Sequence, residues 1–268
     1  MSIRKKNTMP AHNEGNMSRY KIAFQGTKFW WRSINGKTLD SASLLYRKYK
    51  SVVRGIADFT ATVVSPPMFH VTLLITTGGD WLYDINAAKI LLKAFARKFS
   101  KKFPTGWFLH KLEYSPTSGV HLHLLMRLDK ERTLSSVSRN LAKWWENLTG
   151  SDEPNLCEVV EFSRNHYGYF TSPKKRANTM FLLSLMEGRR IWGVVNRKAA
   201  GVEVAEEYDV TREEFDTIRD KLAELLDDDT TTESHRLYLD NDNGSLYYVK
   251  KGIQKKALRS IGKGKKGK

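Results

Sequence analysis

Cysteine is almost missing from this sequence: Cys157 stands alone among 268 residues. One thiol excludes a disulfide framework within the chain and any zinc site built on several cysteines. A reducing, cytoplasmic setting is the expectation. No apolar run approaches the ~20 residues that a membrane-spanning helix needs. The first residues are polar and mixed, without the apolar stretch of a secretory signal. No Gly-x-x-x-x-Gly-Lys-Ser/Thr loop occurs, so the sequence contains no ATP-driven motor of that type. Internal repeats are lacking too. Acid is scarce: 29 Asp and Glu face 45 Lys and Arg, for a net charge of +16. That excess points to a polyanionic partner, either nucleic acid or an anionic membrane surface.

What is present is a foldable chain, with 40% hydrophobic and 11% aromatic residues. Residues 1–19 are polar, carry Pro10 and Gly15, and read as a flexible arm. The segment 40–56 reads as a basic helix, and FHVTLLIT (69–76) as a buried strand after Pro66-Pro67. A helix opens near Asp84 and Asn86, with Ala88, Leu91, Leu92, Phe95, Phe99 and Phe103 every three or four residues. Its basic face, including Lys98, Lys101 and Lys102, is read as solvated, with phosphate contact as the alternative.

Strands are expected over 106–115 and 119–128, joined by the turn Pro-Thr-Ser-Gly as a hairpin. A second amphipathic helix follows over 134–148 and a strand over 158–163, with a short strand or turn over 191–196. Thr211 and Glu214 form a capping-box signature that starts a helix ending in three aspartates, read as a solvated terminus. From Lys250 onward nine basic residues and no acidic one mark a disordered tail. The fold class is α+β, an antiparallel sheet with helices packed on one side, plus a C-terminal helical extension. The expected divisions are an arm over 1–19, the α+β domain over 20–200, the extension over 201–249 and the tail over 250–268.

In a strand, residues i and i+2 share a face, so His121 and His123 in GVHLHLL sit side by side. The hairpin brings Glu113 to the same face within ~5 Å. Two imidazoles and a carboxylate suit Mn²⁺ or Mg²⁺, and the same set also serves non-haem iron. A metal beside a basic surface would polarise a phosphoryl oxygen. The nucleophile is then water or a side chain such as Tyr167 or Tyr169, which precede Lys174, Lys175 and Arg176 in NHYGYFTSPKKR.

The order FHVTLLIT, KLEYSPTSGVHLHLLM, HYGYFTSPKKR resembles the three motifs of HUH endonucleases. More narrowly, it resembles rolling-circle replication initiators of plasmids and of filamentous or other single-stranded DNA phages. EGRRIWGVVNR (187–197) is similar to the Gly-Arg-x-Trp-Gly stretch of many such proteins. The resemblance covers roughly residues 69–197. It implies an HUH endonuclease domain in which Glu113, His121 and His123 ligate the divalent metal. A tyrosine would attack the scissile phosphate, leaving a 5′-phosphotyrosyl link and a 3′-OH primer. Lys174 and Lys175 would stabilise phosphate charge. Single-stranded or hairpin origin DNA, a host helicase and the replication machinery are the implied partners, with no membrane and no small-molecule cofactor.

The family usually has lysine three residues after its tyrosine, whereas Phe170 and Ser172 stand there. Residues i and i+2 do not share a helix face. One nucleophile is therefore expected, with Tyr169 preferred over Tyr167 because FTSPKKR follows it directly. An HUH transposase or relaxase would use the same chemistry. His70-Val71-Thr72 is the half-site of a 2H phosphoesterase, but His123 stands where a second hydroxyl is needed. A non-catalytic origin- or RNA-binding protein would explain the charge alone.

Overall fold

The computed structural model describes residues 19–34, 44–75, 85–151, 153–186, 190–227 and 243–263. Outside the described residues lie nearly all of the expected arm, Gly78-Gly79, Asp84, 187–189 of the Gly-Arg-x-Trp-Gly stretch, Asp228-Asp229 and 264–268 of the tail. In chain order the first elements are β1 (Arg19–Gln25), β2 (Lys28–Ser33), α1 (Leu44–Thr62), β3 (Phe69–Leu74) and α2 (Ile85–Lys102). Then come β4 (Trp107–Ser115), β5 (Gly119–Arg127), α3 (Leu134–Thr149), β6 (Cys157–Glu161), α4 (Asn165–Thr171) and α5 (Arg176–Leu185). The last are β7 (Trp192–Val195), α6 (Arg197–Ala200), β8 (Glu206–Thr211), α7 (Arg212–Asp227), β9 (Asn243–Leu246) and α8 (Lys251–Ser260). The chain divides into two units, residues 25–28 with 39–204, and residues 1–24, 29–38 and 205–268.

The larger unit is α+β. Its sheet runs β6-β3-β5-β4-β7 with every neighbouring pair antiparallel. The turn between β4 and β5 fixes the register at the centre of this sheet. Gly119 takes a φ of +59, a left-handed angle that suits a residue without Cβ. Ser115 Oγ accepts the Ser118 amide at 3.0 Å, closing the turn. Ser115 therefore pairs with Gly119, and Glu113 with His121.

Helices cover both faces of this sheet, which corrects the one-sided packing expected from sequence. Phe108, Leu122, Leu124 and Met126 form one face, where Phe95 and Phe99 of α2 meet Phe108 edge-on at 5.8 and 4.9 Å. On α3, Trp145 is fully buried and donates its indole N–H to the Leu74 carbonyl. The alternating residues Trp107, Lys111, Glu113, His121 and His123 face the other way, toward α1, α4 and α5. There Phe59 of α1 meets Trp107 edge-on at 5.4 Å. β5 is buried from Gly119 to Met126, so neither of its faces meets bulk solvent.

The smaller unit has its own sheet, ordered β8-β1-β2-β9, with β1 antiparallel to β8 and β2 antiparallel to β9. Tyr20, Ile22, Phe24, Phe29 and Trp31 meet Phe215, Ile218 and Leu222 of α7 in a separate core, and Tyr20 stacks on Phe215 at 4.4 Å. The expected capping box forms: Thr211 N–H donates to Glu214 at 2.9 Å, and Glu214 N–H donates to Thr211 Oγ1 at 3.2 Å. Two expectations change here. The stretch 201–249 is not purely helical, since β8 and β9 pair with strands from the N-terminal region. The basic segment after Lys250 is helical over Lys251–Ser260, because Ile253, Ala257 and Leu258 give it an apolar stripe that packs on this core.

Candidate metal centre

Strand alternation and one tight turn build the site. β4 supplies Lys111 and Glu113, which pair directly with His123 and His121 of β5. From the other side β3 sets Thr72 opposite His123. Glu113, His121 and His123 are buried, and one ligand atom of each lies within 4.8 Å of the others. They form a group placed to hold a metal ion.

The hydrogen bonds orient both imidazoles. His121 Nδ1 lies 3.0 Å from the Gly119 carbonyl, which only accepts, so Nδ1 carries the proton and Nε2 keeps its lone pair. His123 Nδ1 lies 3.1 Å from His70 Nε2 and 3.3 Å from Thr72 Oγ1. Its Nε2 faces the Glu113 carboxylate at 3.4 Å and the Tyr169 hydroxyl at 3.1 Å. Burial lowers the pKa of both histidines: for His121 it outweighs the opposing Gly119 carbonyl and Glu113 carboxylate, and for His123, helped by the neighbouring imidazoles and lysines, it takes the pKa well below the ordinary value. Both are thus neutral at physiological pH, the form in which imidazole ligates a metal.

Glu113 is held in the opposite sense. Burial pushes its carboxyl up, but the ammonium groups of Lys111 and Lys175 outweigh that and keep it below the usual carboxylate range. Lys111 Nζ lies 2.8 Å from Oε1 and donates to the Phe170 carbonyl at 2.8 Å. Lys175 Nζ donates to Oε2 at 2.5 Å. The Lys111 contact is one of charge without an aligned hydrogen bond, so Oε1 retains acceptor capacity inside the site. Two neutral imidazoles and one ionised carboxylate with a spare lone pair fit a divalent cation.

The other residues singled out in the sequence separate clearly. Tyr169 lies on α4 beside His123, and Lys175 Nζ sits 2.9 Å from its ring centroid. Burial, then the charges of Glu113 and Glu158, raise the Tyr169 hydroxyl to about 12. Tyr167 points elsewhere and packs on Phe162 at 4.8 Å. Lys175 lines the same pocket of about 620 Å³ as the three candidate ligands and Tyr169, whereas Lys174 is exposed and does not line it. Sequence reading overlooked Lys111, whose i−2 spacing from Glu113 was the available signal. It also missed His166, whose ring lies 4.7 Å from that of His70 in the same pocket. His70 and Thr72, singled out as a His-x-Thr pair, both approach His123 Nδ1.

The sequence matches no protein-family model and no curated protein. Among solved structures it is similar to the N-terminal nuclease domain of non-structural protein 1 of minute virus of mice. The two share 13% identity and a TM-score of 0.21 over 78% of this chain and 77% of that one. That domain is described as coordinating Zn²⁺ in its active-site pocket and recognising DNA at the origin of replication. Among the described residues no helix is long and apolar enough to cross a membrane.

Proposed function

We propose that this chain is an HUH-type replication initiator of a plasmid or single-stranded DNA phage. It nicks and rejoins single-stranded or hairpin origin DNA by tyrosine transesterification. The observation that carries the reading is the meeting of Tyr169 with the buried Glu113, His121 and His123 in one open pocket. Those three residues would hold Mn²⁺ or Mg²⁺, which when bound supplies Lewis-acid polarisation of the scissile phosphate.

The remaining work falls to the protein. Tyr169 Oη forms a bond to phosphorus as the bond to the 3′ oxygen breaks. The phenol gives up a proton and the departing 3′ oxygen takes one, so the exchange is balanced and reversible. Lys175, over the Tyr169 ring and against Glu113, offsets negative charge as the phenol ionises. His70 and Thr72 fix the orientation of His123. The free 3′-OH then primes synthesis, with a host helicase opening the duplex in the cytoplasm.

The test combines the full chain, Mn²⁺ and a labelled randomised single-stranded library, resolved on denaturing gels. The proposal expects a covalent protein–DNA adduct, lost in Tyr169→Phe and in His121→Ala. Cleavage without an adduct would assign the site to water-mediated phosphoester hydrolysis. Binding without cleavage would leave a non-catalytic DNA-binding protein.

A further inference from the structure

A second groove lies over the sheet face opposite the candidate metal centre. It has a volume of about 460 Å³ and runs between α2, α3 and the loop that joins β5 to α3. Lys98, Lys101 and Lys102 of α2 and Arg132 of the loop line it, with Trp144 and Phe103 in its walls. No acidic side chain lines it. The helix dipole accounts for Lys101 and Lys102 in the last turn of α2, but not for Lys98 or for Arg132. Ion pairs do form at some other surface positions, as in Lys21–Glu207, Lys28–Asp58 and Arg212–Asp216. Among the described residues the four groove cations form no ion pair with a carboxylate.

The aromatic residues make the groove more than a basic patch. Trp144 is half-buried, and Lys98 Nζ stands over its ring at 5.0 Å. Arg132 lies over Phe103 at 5.4 Å. Cations interleaved with aromatic rings are the chemistry that tracks a phosphate backbone while offering a face to an unstacked base. We infer that this groove binds a segment of single-stranded DNA. Its phosphates would lie along Lys98, Lys101, Lys102 and Arg132, and one base would replace the Lys98 ammonium on the Trp144 face. A paired duplex presents phosphates but no free base face, so the indole wall favours a single strand. The site is separate from the metal centre, and a strand held there would be gripped independently of the chemistry.

The experiment measures binding of fluorescein-labelled dT20 to the full chain in the absence of metal, so its outcome does not depend on the nuclease reading. The variant Lys101→Glu/Lys102→Glu/Arg132→Glu is compared with Lys255→Glu/Lys256→Glu/Arg259→Glu, which changes net charge equally at exposed positions of α8. The groove variant should bind at least ten-fold more weakly at 0.15 M salt. The slope of log affinity against log salt should fall by about 2, near 0.7 for each lost phosphate contact. The α8 variant should stay close to wild type. Wild-type protein irradiated with iododeoxyuridine-substituted dT20 should crosslink at the α3 peptide carrying Trp144, a readout that needs no folded variant. Equal weakening in both variants, or crosslinks confined to other peptides, would overturn the proposal. So would tighter binding of a 20-base-pair duplex than of dT20. Loss of binding to phosphatidylglycerol vesicles with dT20 binding intact would assign the groove to a lipid surface instead.

Discussion

The two faces of the larger sheet are built from the same strands and do opposite work. On β5, Leu122, Leu124 and Met126 point toward α2, while His121 and His123, one residue out of step, point toward α4. On β4, Phe108 and Leu112 alternate with Lys111 and Glu113. All of these side chains are buried. One face gains stability by removing apolar surface from water. The other spends some of that stability on buried charges held in place by mutual attraction and hydrogen bonds. The period of two lets a single hairpin carry both without compromise.

The comparison breaks first if substitutions on the two faces behave alike. Leu124→Ala should cost about 2–5 kcal/mol on thermal or denaturant unfolding, through lost burial and the cavity left behind. Tyr169→Phe, a change at a hydroxyl on a 37%-exposed residue, should leave unfolding nearly unaltered while abolishing the DNA adduct. Equal losses of stability would mean that the polar face is a second core.

Comparable in size is the buried ion pair. Glu113→Ala leaves Lys111, only 3% exposed, without its counter-charge, and should cost about 3–5 kcal/mol. The double variant Glu113→Gln/Lys111→Met should recover most of that loss in urea unfolding. A single variant as stable as wild type would show that the pair does not hold this face together.

Acid tests both faces together, because each carries a histidine: His70 is buried and His110 half-buried. Burial lowers His70 on the polar face to about 4, helped by His166, and burial alone lowers His110 on the apolar face to about 4. The unfolded chain therefore binds protons that the folded chain refuses between pH 6.5 and about 4. Stability is full above that window and falls as pH drops through it, by on the order of 1.4 kcal/mol per pH unit for each histidine. His110→Phe should flatten the apolar face's share of that slope in unfolding measured from pH 7 to 4.

The smallest expected effect comes from Glu158, whose charge helps raise the Tyr169 hydroxyl. Glu158→Gln should lower that pKa and shift the rise of adduct formation to lower pH, read from a pH–rate profile. An unmoved profile would mean that the phenol's ionisation does not limit the rate.

Much of the polar face was legible because a short turn fixes cross-strand register locally. Glu113 and His121 lie eight residues apart and pair directly. The divergence of the two tyrosines was also legible, since i and i+2 on a helix do not share a face: Tyr169 lies beside His123 and Tyr167 against Phe162. Lys111 was missed because a lysine in a strand reads as solvent-facing, and only its contacts with Glu113 and Phe170 explain its burial. The pairing of β1 with β8 and of β2 with β9 was not legible, because those partners lie some two hundred residues along the chain. No local pattern encodes such a pairing. In α8 the lysines hid Ile253, Ala257 and Leu258, whose spacing makes the helix amphipathic.

The central claim is that one face of a hairpin is arranged to hold a metal ion. Calorimetric titration of the full chain with Mn²⁺ tests it without DNA. The account predicts one site per chain, lost in His121→Ala and in His123→Ala and preserved in Tyr167→Phe. Undiminished Mn²⁺ binding by both histidine variants would contradict it.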